Sequence, residues 1–190
     1  SKKIMRKYST LNLLRLFYRP SFKAFQRSIK YIQFLLLFNS GKATLIEKYV
    51  SEKKSENSET LNSIFQNLKQ NNLVKIDIEE AEYIIINDII NNFNKINVLI
   101  IEFHNLSNLK NREKFHLFFE KISEFFYLSH LHMNNSSGVS IDNFPNTIEF
   151  TFEKKYLLKT KVKEKLANFP LDKFDYPNSK NTGDYNLVFK

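Results

Sequence analysis

The sequence predicts an α/β fold, because short apolar segments with strand character alternate with helical periodicity after residue 60. With 190 residues, 42% of them hydrophobic, the chain is long enough for one globular domain with a core. Nineteen Phe and nine Tyr against three Gly indicate ordered elements rich in large apolar side chains. We therefore expect one α/β domain preceded by an α-helical N-terminal segment.

The chain divides into three regions by composition. Residues 1–50 are basic with helical periodicity, residues 51–59 form a polar linker, and residues 60–190 carry the alternating α/β pattern. In the first region we predict a short helix over residues 4–18 and an amphipathic helix over residues 22–36. The apolar positions of the second helix recur at three- and four-residue steps: Phe22, Phe25, Ile29, Ile32 and Leu36.

The net charge of +9 belongs to the N-terminal arm. Residues 1–46 carry ten basic side chains and no acidic one, because the first acid is Glu47, and the rest of the chain is close to neutral. We therefore expect no nucleic-acid partner for the body of the protein. The apolar face of the amphipathic helix is predicted either to pack on an open edge of the sheet or to lie on an anionic membrane or acidic partner.

The absence of Cys excludes disulfides, thiolate nucleophiles and Cys-based zinc sites. The longest dense apolar run, residues 31–38, is much shorter than the roughly 20 residues that span a bilayer. Basic residues also interrupt any secretory signal pattern near the N-terminus. We expect a cytoplasmic protein.

Residues 60–190 are predicted to form a sheet that ends in an antiparallel pair. In chain order we predict a helix over residues 60–68 capped by Thr60, a strand over 73–78, a helix over 81–93, a strand over 98–103, a helix over 110–126, and strands over 127–132 and 147–152. The strand over 98–103 is apolar enough for burial on both faces. The strand over 73–78 lacks a predicted neighbour on one side and needs a cover.

Acidic and imidazole side chains lie at the ends of the predicted strands. Asp77 shares a face with Glu79, and Glu102 shares one with His104, because side chains two apart in a strand point the same way. Ligands of open α/β sheets bind at the carboxyl ends of the strands. We therefore predict a polar site there, whose carboxylates accept hydroxyls from a ribose or sugar or act as a general base.

Two neighbouring acids have a structural interpretation. Glu80 and Glu82 stand at the start of a predicted helix, where negative charge is stabilised by the helix dipole. For these two side chains we prefer the structural role.

His130 and His132 also share a strand face, and Asn134 and Asn135 follow them. Two imidazoles at this spacing can approach one metal ion, but a third ligand such as Glu149 or Asp142 is then needed. A His at a strand end is more often a hydrogen-bonded structural residue. We therefore predict no metal site, and a His-metal hydrolase is the least favoured hypothesis.

Taken in order, these motifs resemble those of the FkbM family of S-adenosylmethionine-dependent methyltransferases. Residues 75–83 (KIDIEEAEY) resemble its KIDIEGAEY segment, and residues 99–104 (LIIEFH) resemble its fifth strand. Residues 130–135 (HLHMNN) and 145–152 (PNTIEFTF) resemble its HIHGNN and PxxLELTF pair, and residues 171–178 its C-terminal segment. Glu80 and Met133 stand where the family has Gly.

The resemblance implies a class I methyltransferase fold, of which this chain holds strands four to seven of the Rossmann-like sheet. It implies S-adenosylmethionine as methyl donor and the hydroxyl of a sugar, glycan or other small metabolite as acceptor. The residues so implied are listed by role: catalytic, Asp77, Glu79, Glu102 and His104; substrate-binding, His130, His132, Asn134 and Asn135.

The family's cofactor-binding glycine loop has no counterpart here, since the first 59 residues contain only Gly41. The cofactor-binding residues are therefore unassigned. We expect a C-terminal portion of a methyltransferase that is inactive alone and whose open strand edge is covered by the N-terminal helices, a second copy or another chain. The alternative is a non-enzymatic module whose residues 1–46 contact an anionic membrane or acidic partner.

Overall fold

The computed structural model describes residues 22–44, 46–157 and 168–187, and the chain forms two compact units, Ser1–Lys48 and Tyr49–Lys190. In the first unit, helix α1 spans Phe22–Asn39. The predicted helix over 22–36 is therefore confirmed, and it runs three residues further. The helix predicted over residues 4–18 lies outside the described residues.

The predicted apolar face of α1 is exposed along its length. Phe22 is 75% exposed, and Phe25, Ile29, Ile32 and Leu36 are each at least 40% exposed. Within the described part of the chain, no helix has both the length and the apolar character needed to cross a membrane.

The second unit begins with two short parallel strands, β1 (Tyr49–Val50) and β2 (Ser58–Glu59), joined by an exposed polar loop. The compact unit therefore includes the segment that the composition marked as a linker. Helix α2 (Leu61–Gln66) follows, and the Thr60 hydroxyl accepts a hydrogen bond from the Ser63 amide at 3.2 Å. The predicted Thr60 cap is confirmed.

The main sheet has four strands, β3 (Asn72–Ile76), β4 (Ile96–Phe103), β5 (Phe126–Met133) and β6 (Ile148–Lys154). Their order is β3-β4-β6-β5, with β3 parallel to β4 and with β6 antiparallel to both β4 and β5. The mixed α/β class and the antiparallel pair are thus as predicted. The carboxyl ends of β3, β4 and β5 and the start of β6 lie at one edge of the sheet.

The helix predicted over residues 81–93 is wrong as a continuous element. The segment forms a 3₁₀ turn (Ala81–Ile84), helix α3 (Ile86–Asn91) and a second 3₁₀ turn (Phe93–Lys95). Five isoleucines and four asparagines within residues 84–94 explain the interruption, because β-branched and short amide side chains disfavour a regular helix. Helix α4 (Leu109–Ser123) begins after Asn108, whose side chain accepts a hydrogen bond from the Lys110 amide.

The core lies between α4 and one face of the sheet. Leu99, Ile101 and Phe103 of β4 are fully buried there, and Phe103 contacts the rings of Phe115 and Phe118 from α4. The alternate residues of β4, including Ile100, are only half-buried. The prediction that β4 is buried on both faces is therefore wrong for the described residues, and the second face of the sheet carries the polar side chains.

Candidate functional site

The strand register places polar residues in one row across the second face of the sheet. Glu102 of β4 pairs with Glu149 of β6, which pairs with His132 of β5. Asp77 directly follows Ile76, whose partner is Ile101, and so stands next to Glu102 in the same row. The predicted site residues therefore all reach the same edge, where they form two separate groups.

The first group, which we call the β3–β4 cluster, surrounds the imidazole of His104. Its members are Asp77, Glu79, Glu82, Glu102 and His104. His104 Nε2 lies 3.9 Å from Asp77 Oδ1 and 3.6 Å from Glu79 Oε2. One side-chain ligand atom each from Asp77, Glu102 and His104 lie within 4.8 Å of one another. The four predicted catalytic residues are thus brought together.

Glu82 holds the other side of the His104 ring. Its Oε1 lies 3.1 Å from His104 Nδ1 and accepts a hydrogen bond from the Ile78 amide at 3.0 Å. The Glu82 side chain is fully buried, and its Oε2 has no hydrogen-bond partner. Because a carboxylate accepts at Nδ1, the ring hydrogen is placed on Nδ1 and the lone pair of Nε2 faces Asp77 and Glu79.

Tyr83 fixes the backbone of the same histidine. Its hydroxyl donates a hydrogen bond to the His104 carbonyl, and its ring packs on Phe103 at 5.6 Å between centroids. Burial, with the nearby charges of Glu82 and Glu80, raises the pKa of Tyr83 well above its usual value. The phenol therefore stays a neutral donor, and it anchors His104.

The loops that carry the cluster have left-handed backbone at three non-glycine positions. The φ angles are +52° at Glu79, +74° at Glu80 and +52° at Asn105. Such angles are unfavourable for residues with a Cβ and are usual for Gly. Glu80 is the position at which the FkbM-like motif has Gly, so the backbone conformation here is one that the motif's glycine suits.

The charges around the cluster are mostly negative. Lys75 Nζ bonds Glu149 Oε2 at 2.7 Å, and this contact, helped by the charges of Asp77 and Glu102, raises the pKa of Lys75. Asn134 Nδ2 donates to Glu102 Oε1 at 3.1 Å. Within residues 22–44, 46–157 and 168–187, no Lys or Arg lies at ion-pair distance from Asp77 or Glu102.

The second group, which we call the β5 cluster, consists of His130, His132 and Asn135. His130 Nε2 lies 3.0 Å from Asp175 Oδ1, and His132 Nε2 lies 3.5 Å from Asp184 Oδ2. Both aspartates belong to the C-terminal segment, residues 168–187.

Asn135 is the most deeply buried member of the β5 cluster, with 2% exposure. It donates to the carbonyls of Ser179 and Thr182 and accepts from the Ser179 amide at 2.8 Å. The β5 cluster therefore fastens the C-terminal segment to the sheet.

The third hypothesis finds no support in this geometry. The two histidines bond different aspartates, so they share no ligand position. Of the suggested third ligands, Glu149 bonds Lys75 and Asp142 bonds Arg112. The Arg112 contact, with a hydrogen bond from Ser140, holds the pKa of Asp142 well below its usual range.

Sequence reasoning missed the role of Glu82. We interpreted it as a helix-dipole residue, but it is a buried partner of His104. No signal distinguishes it from Glu79 and Glu80 in the sequence, because its burial depends on the 3₁₀ turn that replaces the expected helix. Asn134 and Asn135 were predicted to act together, yet Asn134 contacts Glu102 whereas Asn135 holds the C-terminal segment.

An open groove of about 410 Å³ lies away from both clusters, beside α3 and α4. Its lining includes Tyr83, Ile86, Lys114 and Leu117 and none of the predicted site residues. The groove therefore adds nothing to the site at the sheet edge.

Comparisons with protein-family models, curated proteins and solved structures found no match to this chain. What the geometry defines is a mixed α/β protein with an acidic and imidazole cluster at the carboxyl ends of two parallel strands. Function is accordingly argued from the site.

Proposed function

We propose that this chain provides the acceptor side of an FkbM-like, S-adenosylmethionine-dependent O-methyltransferase acting on the hydroxyl of a sugar or other small metabolite. The observation that carries the proposal is the assembly of Asp77, Glu79, Glu102 and His104 at one sheet edge, from two motifs that resemble the family. The β3–β4 cluster is the proposed catalytic centre.

The strand order supports the fold part of the proposal. In a class I methyltransferase sheet the last strand is antiparallel and lies between its two predecessors. Here β6 lies between β4 and β5 and is antiparallel to both, while β3 and β4 are parallel. The four strands accordingly fit the positions four to seven that the motifs imply.

The chemistry that the cluster offers is proton acceptance from a hydroxyl. Glu82 holds His104 by Nδ1, so Nε2 presents a lone pair towards the open side, where Glu79 is 86% exposed. An imidazole or carboxylate within hydrogen-bond reach of a hydroxyl can remove its proton as the oxygen becomes a nucleophile. Asp77 and Glu102 can accept neighbouring hydroxyls of a polyol and so orient it.

The residues described here do not fit the methyl donor. A glycine loop serves to let backbone approach a cofactor closely. Each of the three glycines, Gly41, Gly138 and Gly183, has open space where a Cβ would stand, so none forms such a cradle. We therefore derive no step through S-adenosylmethionine, and calorimetric titration of the chain with it is expected to show no binding; measurable binding would overturn the half-site part of the proposal.

The experiment that tests the function is deletion of the gene in its source cells, followed by mass spectrometry of glycans and small metabolites. We expect one or more compounds to lose the mass of a methyl substitution and to regain it when the wild-type gene is restored. An unchanged methylation profile in the deletion strain contradicts the methyltransferase proposal.

A second candidate is favoured by one observation, the exposure of the apolar face of α1. Residues 1–46 carry ten basic side chains, and an apolar helix face within a basic segment is typical of interfacial membrane binding. On this proposal the chain is a non-enzymatic module that lies on an anionic membrane.

Co-sedimentation with anionic and neutral phospholipid vesicles tests the second candidate. Replacing Phe25, Ile29 and Ile32 with Gln is expected to abolish binding to anionic vesicles, whereas the control Leu117→Gln, at an exposed apolar residue of α4, leaves binding unchanged. Equal sedimentation of the wild-type and triple variant proteins removes α1 from consideration.

A further inference from the structure

We propose that the β3–β4 cluster binds one divalent transition-metal cation, with Asp77, Glu102 and His104 as its protein ligands. The sequence analysis expected no metal at either strand end. The inference goes beyond methyl transfer and does not depend on it, since metal binding is measured on the chain alone.

The distances between the three ligands suit a cation after a small closure. Their ligand atoms lie within 4.8 Å of one another, with 3.9 Å between Asp77 Oδ1 and His104 Nε2. Two atoms that each lie about 2.1 Å from the same ion are roughly 3.0–3.4 Å apart when they are adjacent ligands. The required movement is about 1 Å, and the Asp77 side chain, which is 42% exposed, has room to make it.

Glu82 supplies the second observation, which separates this cluster from an ordinary acidic patch. Histidines that bind metals usually donate the other ring N–H to a carboxylate, which fixes the ring and raises its basicity. Glu82 occupies that position on His104 Nδ1, is fully buried, and has one oxygen without a hydrogen-bond partner. Such burial of an acid is expensive unless positive charge is nearby.

In the described parts of the chain, that positive charge does not come from Lys or Arg. Lys75 is engaged by Glu149, and the ion pairs of Asp77 and Glu82 involve only His104. A cation ligated by His104 would compensate the carboxylates on both sides of the ring. One imidazole and two carboxylates favour Zn²⁺ over Mg²⁺, because imidazole is a poor ligand for Mg²⁺.

Calorimetric titration of the metal-free full chain with Zn²⁺ tests the proposal, with Mg²⁺ as the comparison ion. We expect one Zn²⁺ per chain and weaker binding of Mg²⁺. His104→Ala is expected to abolish stoichiometric Zn²⁺ binding, and Asp77→Asn, at an exposed position, to weaken it at least about tenfold. Glu82→Gln leaves all three ligands in place and is expected to weaken binding by about 10–100-fold.

Two controls use histidines outside the cluster. His116→Ala, on the exposed side of α4, and the double variant His130→Ala/His132→Ala are expected to leave the Zn²⁺ stoichiometry and affinity unchanged, and circular dichroism checks the fold of every variant. Absence of stoichiometric binding by the wild-type chain overturns the proposal. Retention of the site in both His104→Ala and Asp77→Asn, or its loss only in the double variant, overturns it as well.

Discussion

The β3–β4 cluster and the β5 cluster stand at the same sheet edge and are built from the same kinds of side chain, yet their contacts differ. In the β5 cluster each imidazole meets an aspartate, and the buried Asn135 amide is hydrogen-bonded to the C-terminal segment. In the β3–β4 cluster carboxylates crowd around one imidazole, and one buried oxygen has no partner. Satisfied polar groups stabilise a fold, whereas crowded and unsatisfied ones indicate a site kept for chemistry.

The largest expected effect is on the β5 cluster. Asn135→Ala removes the side chain that bonds Ser179 and Thr182 and leaves buried backbone groups without partners. We expect a loss of about 1–3 kcal/mol in the free energy of unfolding, measured by urea denaturation, and faster proteolysis within residues 168–187. Asn134→Ala, the matched control at the neighbouring asparagine, should cost clearly less, and equal losses would remove the distinction between the two positions.

The opposite sign is expected in the β3–β4 cluster. Asp77→Asn removes one of several adjacent negative charges while His104 keeps its contacts with Glu79 and Glu82. We expect the free energy of unfolding to stay unchanged or to rise by up to about 1 kcal/mol, because like charges at neighbouring strand positions are destabilising. A loss comparable to that of Asn135→Ala would show that Asp77 is structural.

A smaller gain is expected from the backbone. Glu80→Gly relieves the left-handed conformation at φ +74° and is expected to raise the free energy of unfolding by about 0.5–1 kcal/mol. The matched control is Glu113→Gly, which lies inside α4 and should instead destabilise by roughly 1 kcal/mol. Equal destabilisation by both substitutions would contradict the conformation assigned to residue 80.

The smallest effect concerns Lys75 and pH. Its folded-state pKa is raised, so its contact with Glu149 stabilises the fold below the usual Lys value of 10.5, and that contribution is lost as pH rises through the folded-state pKa. The side chain is 52% exposed, which limits the contribution to about 0.5 kcal/mol.

NMR titration of the lysine side chains measures this pKa directly. Lys154, whose pKa is lowered by burial, should lose its proton before Lys75. The reverse order would contradict the electrostatics described for this face.

The difference between the clusters could be predicted only in part. Period-two spacing correctly placed Asp77, Glu102, His130 and His132 at strand ends, because side-chain alternation depends on local geometry alone. It could not show that Asp175 and Asp184 lie against the two histidines, since those contacts span 45 and 52 residues of sequence. Nor could it place Glu82 beneath His104, because the 3₁₀ turn that positions it arises from tertiary packing.

The most direct test of the account compares Asp77→Asn with Asn135→Ala in source cells that lack the gene, with both proteins brought to equal abundance. We predict that Asp77→Asn fails to restore the missing methylation although the protein is stable, whereas Asn135→Ala restores it in proportion to its folded fraction. Restoration by Asp77→Asn and failure of folded Asn135→Ala would contradict the assignment of chemistry to the β3–β4 cluster.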